Sequence, residues 1–141
     1  MSFYLDTNVL LSLFFQDAGS DAAAKWLEHA LAPFAISDWS EAEFHAVVNR
    51  WVRSGALSLS AAKSGAGDFD EFARMFTSRL QLSAGAGELA AQMTRDAAMK
   101  LAAADALHLA LAVSGGHSLV TFDQRLAEAA RQCAADVIIP A

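Results

Sequence analysis

Two short apolar segments constrain this chain more than any other feature. Ser2-Phe3-Tyr4-Leu5 runs into Asp6, Ser118-Leu119-Val120-Thr121-Phe122 runs into Asp123, and a helix-forming stretch comes after each. Short apolar runs of this kind read as buried strands. In open parallel sheets, side chains just past the carboxyl ends of the strands converge on one crevice. Two aspartates placed this way, near opposite ends of the chain, are set to meet in one pocket. Carboxylates that meet need a cation or a proton between them.

Between these segments strand and helix patterns alternate. Phe3 to Leu5 is the first strand, and Thr7 to about Phe15 a helix broken by Gln16 to Ser20. A second helix runs from about Asp21 to Leu31 and is ended by Pro33. Phe34 to Ser37 reads as strand two. Ser40 opens a helix in which Phe44, Val47, Val48, Trp51 and Val52 share one face, and Gly55 stops it. Ser60 to about Ser78 is helical through Phe69, Phe72, Ala73 and Phe76, and Gly65 and Gly67 weaken its first half enough to suggest two helices. Leu80 to Leu82 is the candidate third strand. Gly87 to Met99 and Ala104 to Ser114 are helices, the second ended by Gly115-Gly116. Ser118 to Thr121 is a strand, Asp123 to Cys133 a helix, and Val137 to Ile139 the last strand. Strands separated by helices imply right-handed crossovers and an α/β fold, a parallel sheet covered on both faces.

A chain of 141 residues fits one domain, spanning 1–141. With 55% hydrophobic and 18% charged residues it holds enough apolar surface for a sizeable core and is too apolar for disorder. The longest apolar run, Val9 to Phe15, is interrupted by Ser12 and is too short to span a bilayer. No basic region precedes an apolar stretch at the N-terminus, so no signal peptide is expected. The single cysteine, Cys133, excludes an intramolecular disulfide and fits a reducing, cytoplasmic setting. The net charge of −6 argues against a generally sticky nucleic-acid binder. It does not exclude a polyanionic substrate, because metal ions neutralise an acidic site and local Arg and Lys steer the ligand.

Four acids stand out, and each has a bland explanation. Asp6, followed by Thr7 and Asn8, and Asp123 both fit helix N-caps. Glu43 closes Ser40-Glu41-Ala42-Glu43, the form of a capping box in which Glu reaches back to the cap. Asp105 is the only charged residue between Lys100 and Asp123 apart from the titratable His108 and His117. Burying it unpaired would cost several kcal/mol, so a partner or a cleft is required. Thr121 shares a strand face with Asp123 and is placed to orient a water or a carboxylate. The histidines His29, His45, His108 and His117 have no paired metal spacing and read as structural or surface residues. Gly85, Gly87 and Ala90 fit a dinucleotide fingerprint, yet they lead into more helix rather than a second strand.

Taken together, FYLDTNVLL, ISDWSEAEF, LAAADALHLALA and SLVTFDQRL resemble the PIN-domain ribonucleases, in the family's order and over nearly the whole chain. The compact size most resembles the VapC-type toxins of bacterial toxin–antitoxin pairs. The resemblance implies a three-layer fold with sheet order 3-2-1-4-5 and an acidic crevice at its carboxyl edge. It carries the family's acids onto Asp6, Glu43, Asp105 and Asp123 as ligands of Mg²⁺ or Mn²⁺, with Thr7, Asn8 and Thr121 as polar helpers. On this reading Asp6 and Asp105 hold the principal ion and Glu43 completes its shell. Asp123, backed by Thr121, orients the water or holds a weaker second ion. Arg50, Arg53, Lys100 and Arg125 are candidate phosphate contacts. RNA is then the substrate, and a small antitoxin is the expected partner, sending a basic side chain towards the acids. Assembly as a homodimer is also expected. Trp26, Trp39, Trp51 and the Phe69, Phe72, Phe76 stripe belong either to the core or to such interfaces. Hard oxygen ligands suit Mg²⁺ or Mn²⁺ rather than Zn²⁺.

Two other readings remain open at this level. A phosphohydrolase of the haloacid dehalogenase type also begins with a strand and an Asp. It needs a second Asp two residues on, where this chain has Asn8. A non-catalytic α/β binding module would use all four acids merely as caps.

Overall fold

The computed structural model describes residues 1–31 and 33–141. Five strands and seven α-helices alternate along it. β1 (Phe3–Leu5), α1 (Thr7–Phe14), α2 (Ser20–His29), β2 (Phe34–Ser37), α3 (Asp38–Ser54) and α4 (Leu59–Phe76) form the first half. β3 (Thr77–Leu80), α5 (Ala84–Arg95), a 3₁₀ turn (Ala97–Met99), α6 (Ala103–Ser114), β4 (Ser118–Val120), α7 (Gln124–Gln132) and β5 (Val137–Ile138) complete it. All pairings are parallel and the sheet order is β3-β2-β1-β4-β5, as the resemblance implies.

Side-chain alternation along the strands builds a core on each face of the sheet. Tyr4, Ala35 and Leu119 point into a cluster with Ala90, Leu109, Leu126 and Ala130 of α5, α6 and α7. Phe3, Leu5, Phe34, Ile36 and Val120 point the other way, onto Val9, Leu10, Phe44, Val48 and Phe69 of α1, α3 and α4. Phe69 of the aromatic stripe is therefore core, and Phe76 at the end of α4 is 57% exposed.

Several local expectations are corrected. α4 is one helix, continuous through both glycines. Gly65 is required by packing, because a Cβ there would come within 2.4 Å of the Phe15 ring. The third strand lies at Thr77–Leu80, earlier than Leu80 to Leu82. It is a half-exposed edge strand whose Thr-Ser-Arg-Leu sequence has no apolar alternation to announce it. α5 begins at Ala84, with Ser83 as its cap, and stops at Arg95. The 3₁₀ turn after it ends at Lys100 in the left-handed region, φ 53°. α3 starts before Ser40: Ser37 is its N-cap, and Ser37 and Ser40 each accept the other's backbone N–H. The capping box thus uses Ser40 rather than Glu43, which leaves the Glu43 carboxylate free of that role.

Candidate active site

β1 and β4 lie side by side at the point where the strand order reverses, the usual place for a site in an open α/β sheet. The backbone N–H of Asp6 bonds the Val120 carbonyl, so the ladder continues to the first residue past β1, and the register puts Asp6 opposite Thr121. This sets the side chains of Asp6 and Thr121 against each other. The Thr121 hydroxyl donates to Asp6 Oδ2 at 2.7 Å. The same Thr121 oxygen accepts from Asn8 Nδ2 and from the Asp123 backbone N–H, at 3.3 and 3.0 Å. Asn8 Oδ1 in turn accepts from the Phe122 N–H. Asn8 and Thr121 are struts between the two strand ends.

All four acids line one open cleft of about 320 Å³, together with Thr7, Asn8 and Arg50. Arg53, Lys100 and Arg125, the other candidate phosphate contacts, are not among its lining residues. Two of the acids keep their capping role as well. Asp6 Oδ1 accepts from the Thr7 N–H, and Asp123 Oδ1 accepts from the N–H groups of Arg125 and Leu126. Asp105 sits in the first turn of α6 and Glu43 in the second turn of α3, each half-buried and directed at the same cleft.

The electrostatics are those of crowded negative charge. Burial is the main reason the Asp6 carboxyl is pushed above its usual range, against the opposing pull of His108, Thr121 and the Thr7 N–H. Asp105 is pushed up by burial and then by the charges of Asp123 and Asp6. Burial also acts upward on Glu43, but its hydrogen bond and charge pairing with His108, and the Thr7 hydroxyl, outweigh it and hold the carboxyl low. For His108 burial acts downward, and the bond to Glu43 and the nearby carboxylates outweigh that and raise it.

His108 corrects the reading of the histidines. It is 1% exposed and its Nε2 contacts Glu43 Oε1 and lies 3.4 Å from Asp6 Oδ1. One donor atom each from Asp6, Glu43 and His108 falls within 4.8 Å of the others, a tighter group than the four acids as a set. The sequence does carry a signal for it: Asp105 and His108 stand at i, i+3 on one helix, hence on one face. The remaining histidines do behave as expected, His117 bonding Ser2 Oγ and His29 and His45 lying at the surface.

The donor set fits a hard divalent cation. Four carboxylates line the cleft, and the charges of Asp123 and Asp6 add to burial in raising Asp105, negative charge that a cation would neutralise. With that geometry in view the relatives are informative. Crystal structures similar to this chain include VapC20 of Mycobacterium tuberculosis, described as a sarcin-ricin loop cleaving toxin. It is 19% identical with TM-score 0.74, over 91% of this chain and 95% of that one. VapBC2 of Rickettsia felis, bound to a DNA fragment from its promoter, is 17% identical with TM-score 0.75, over 100% of both chains. FitAcB of Neisseria gonorrhoeae is 19% identical with TM-score 0.71, over 96% of each. At such identities these likenesses concern the fold. No curated protein sequence matches the chain. The sequence itself matches the model of the PIN domain over residues 3–132, from the first strand through the last helix, and the chain belongs to that family.

Proposed function

We propose that this protein is a divalent-metal-dependent endoribonuclease, and that it is the toxin of a toxin–antitoxin pair. The observation that carries the reading is the convergence of Asp6, Glu43, Asp105 and Asp123 on one cleft at the carboxyl edge of the sheet, with Arg50 beside them. Family membership supports a nuclease, and the VapBC and FitAB complexes of similar fold support a small antitoxin partner. Among the described residues no helix is long and apolar enough to cross a membrane.

Asp6, Glu43, Asp105 and Asp123 would hold Mg²⁺ or Mn²⁺. A bound ion supplies a water of lowered pKa and neutralises charge developing on the phosphate. The chain's own residues do the rest. Thr121 fixes the Asp6 carboxylate and the start of α7, so Asp123 faces the cleft with one oxygen spent on the cap. Arg50 lines the same cleft and would meet the phosphate that enters. A larger neighbouring cavity, about 610 Å³, shares Asn8 and Leu11 with the cleft and is walled by Trp51 and Phe122. Aromatic faces there suit an unpaired base. No side chain need act as nucleophile, and the expected products carry a 5′-phosphate and a 3′-hydroxyl.

The phosphohydrolase reading is disfavoured by Asn8, whose amide is engaged on both sides as a strut and carries no acid. The test is cleavage-site mapping on total RNA with and without Mn²⁺, wild type against Asp6→Asn. Metal-dependent cuts that vanish in a folded Asp6→Asn protein support the reading. Undiminished cleavage by the variant overturns it.

A further inference from the structure

His108 is buried between α6 and the sheet, and its two ring nitrogens serve different masters. Nδ1 is 2.8 Å from the hydroxyl of Tyr4, a fully buried residue of β1. That hydroxyl is also 2.7 Å from Ser37 Oγ and 3.1 Å from Ser40 Oγ. Both serine oxygens accept a backbone N–H in the α3 cap and lie 3.0 Å from each other, so when one hydroxyl donates to the other, the second serine's proton is available to the Tyr4 oxygen. In that arrangement Tyr4 gives its own proton to Nδ1. Nε2 faces Glu43 Oε1, a carboxylate oxygen that can only accept, so the neutral ring carries its proton on Nε2. If the ring is doubly protonated instead, Nε2 still carries a proton on that side. The chain closes on itself in space: it starts at the cap of α3 and returns to Glu43 on the same helix.

We propose that His108 is a positioning residue for the acid cleft, locked by Tyr4 so that its Nε2–H fixes the Glu43 carboxylate; this rests on the metal-dependent reading above. Glu43 Oε1 takes both the Thr7 hydroxyl, at 2.9 Å, and the His108 donor; neither bond uses Oε2, and Glu43 lines the cleft. A carboxylate held by one oxygen presents the other at a defined place, and partners of this kind set metal affinity by about 10- to 100-fold. Nε2 itself is occupied by its proton and does not ligate. The nitrogen therefore adds no preference for softer ions, and the ligand set stays all-oxygen.

The test is Mn²⁺ binding, measured by titration calorimetry and by electron spin-echo nitrogen coupling, on the whole chain. His108→Leu fills the space without a donor and is expected to weaken Mn²⁺ binding about 10- to 100-fold. His108→Gln puts an amide N–H near the Nε2 position and is expected to recover most of that loss. Tyr4→Phe removes the lock on Nδ1 and is expected to weaken binding at least about threefold; it carries the test if His108→Leu does not fold. Wild-type affinity in a folded His108→Leu protein, or in Tyr4→Phe, overturns the proposal. So does a His108→Gln protein as weak as His108→Leu, or a directly bound imidazole nitrogen in the wild-type spin-echo spectrum. A wild-type protein that binds no Mn²⁺ sinks the metal reading itself, a result distinct from any variant-specific failure.

Discussion

Thr121 donates its hydroxyl to Asp6 Oδ2 at 2.7 Å, across the ends of two adjacent parallel strands, and neither residue is more than 5% exposed. A buried carboxylate keeps its charge only if hydrogen bonds replace water. Thr121 does this while also accepting from Asn8 and from the Asp123 N–H, so one hydroxyl ties together three residues of the cleft. Thr121→Val keeps the shape and removes the hub. It is expected to cost about 1–3 kcal/mol of stability, because two donors and one acceptor lose their partner. Thr121→Ser should recover most of it. Urea unfolding of the three proteins without metal is the measurement.

Asp105 has the opposite character. Its carboxyl is raised by burial and by the charges of Asp123 and Asp6, so in the metal-free fold it is a source of repulsion. Asp105→Asn removes a charge and keeps the volume. The metal-free variant is expected to melt at or above the wild-type temperature, while metal-dependent cleavage falls at least about 100-fold, in line with the several kcal/mol a bound cation contributes. Melting curves and an RNA cleavage assay on the same two proteins check both halves.

Much of this is legible in the sequence because the signals are strong and local. Phe3 to Leu5 and Ser118 to Val120 are apolar, short and followed by capping aspartates, and helical periodicity marks α3 through Phe44, Val47, Val48 and Trp51. The features that escape it do so for physical reasons. β3 is an edge strand with a polar sequence, so its backbone pairing rather than its side chains defines it. Gly65 looks like a helix breaker until the Phe15 ring is placed against it. Ser37 and Ser40 are both competent caps, and only the end of β2 decides between them. For His108 the sequence offers only the i, i+3 spacing from Asp105, because its partners, Tyr4 and Glu43, come from distant segments.

Acid–base linkage gives a further prediction. The folded-state carboxyls of Asp6 and Asp105 titrate above their unfolded values. Their contribution to metal-free stability is therefore fully present below the unfolded carboxylate range and is lost as pH rises through the raised folded values. Glu43, held low, contributes in the reverse sense: present above its unfolded value and lost as pH falls through the folded one. Metal binds the ionised forms, so its stabilising effect grows with pH. At a hundredfold excess over Kd a cation adds about 2.7 kcal/mol, on the order of 8 °C in Tm for a chain of this size. The Mn²⁺-induced rise in Tm should be larger at about pH 7.5 than at about pH 5, a range spanning the carboxylates' charging. An equal rise at both would count against carboxylate ligation.

The two glycines of α4 separate packing from propensity. A Cβ on Gly65 would sit 2.4 Å from the Phe15 ring and 3.2 Å from the Phe14 carbonyl oxygen. Phe15 has little room to retreat, since its ring is packed against Phe44 and Trp51. Gly65→Ala should therefore destabilise by about 1–3 kcal/mol, the usual cost of overpacking. Gly67 is exposed in the same helix, and a Cβ there meets nothing within 4 Å. Gly67→Ala should stabilise by about 0.5–1 kcal/mol through helix propensity alone. Equilibrium unfolding of both variants distinguishes the two effects. Because α4 packs on α1, whose first turn carries Thr7 and Asn8, loss of cleavage in Gly65→Ala should track its loss of fold.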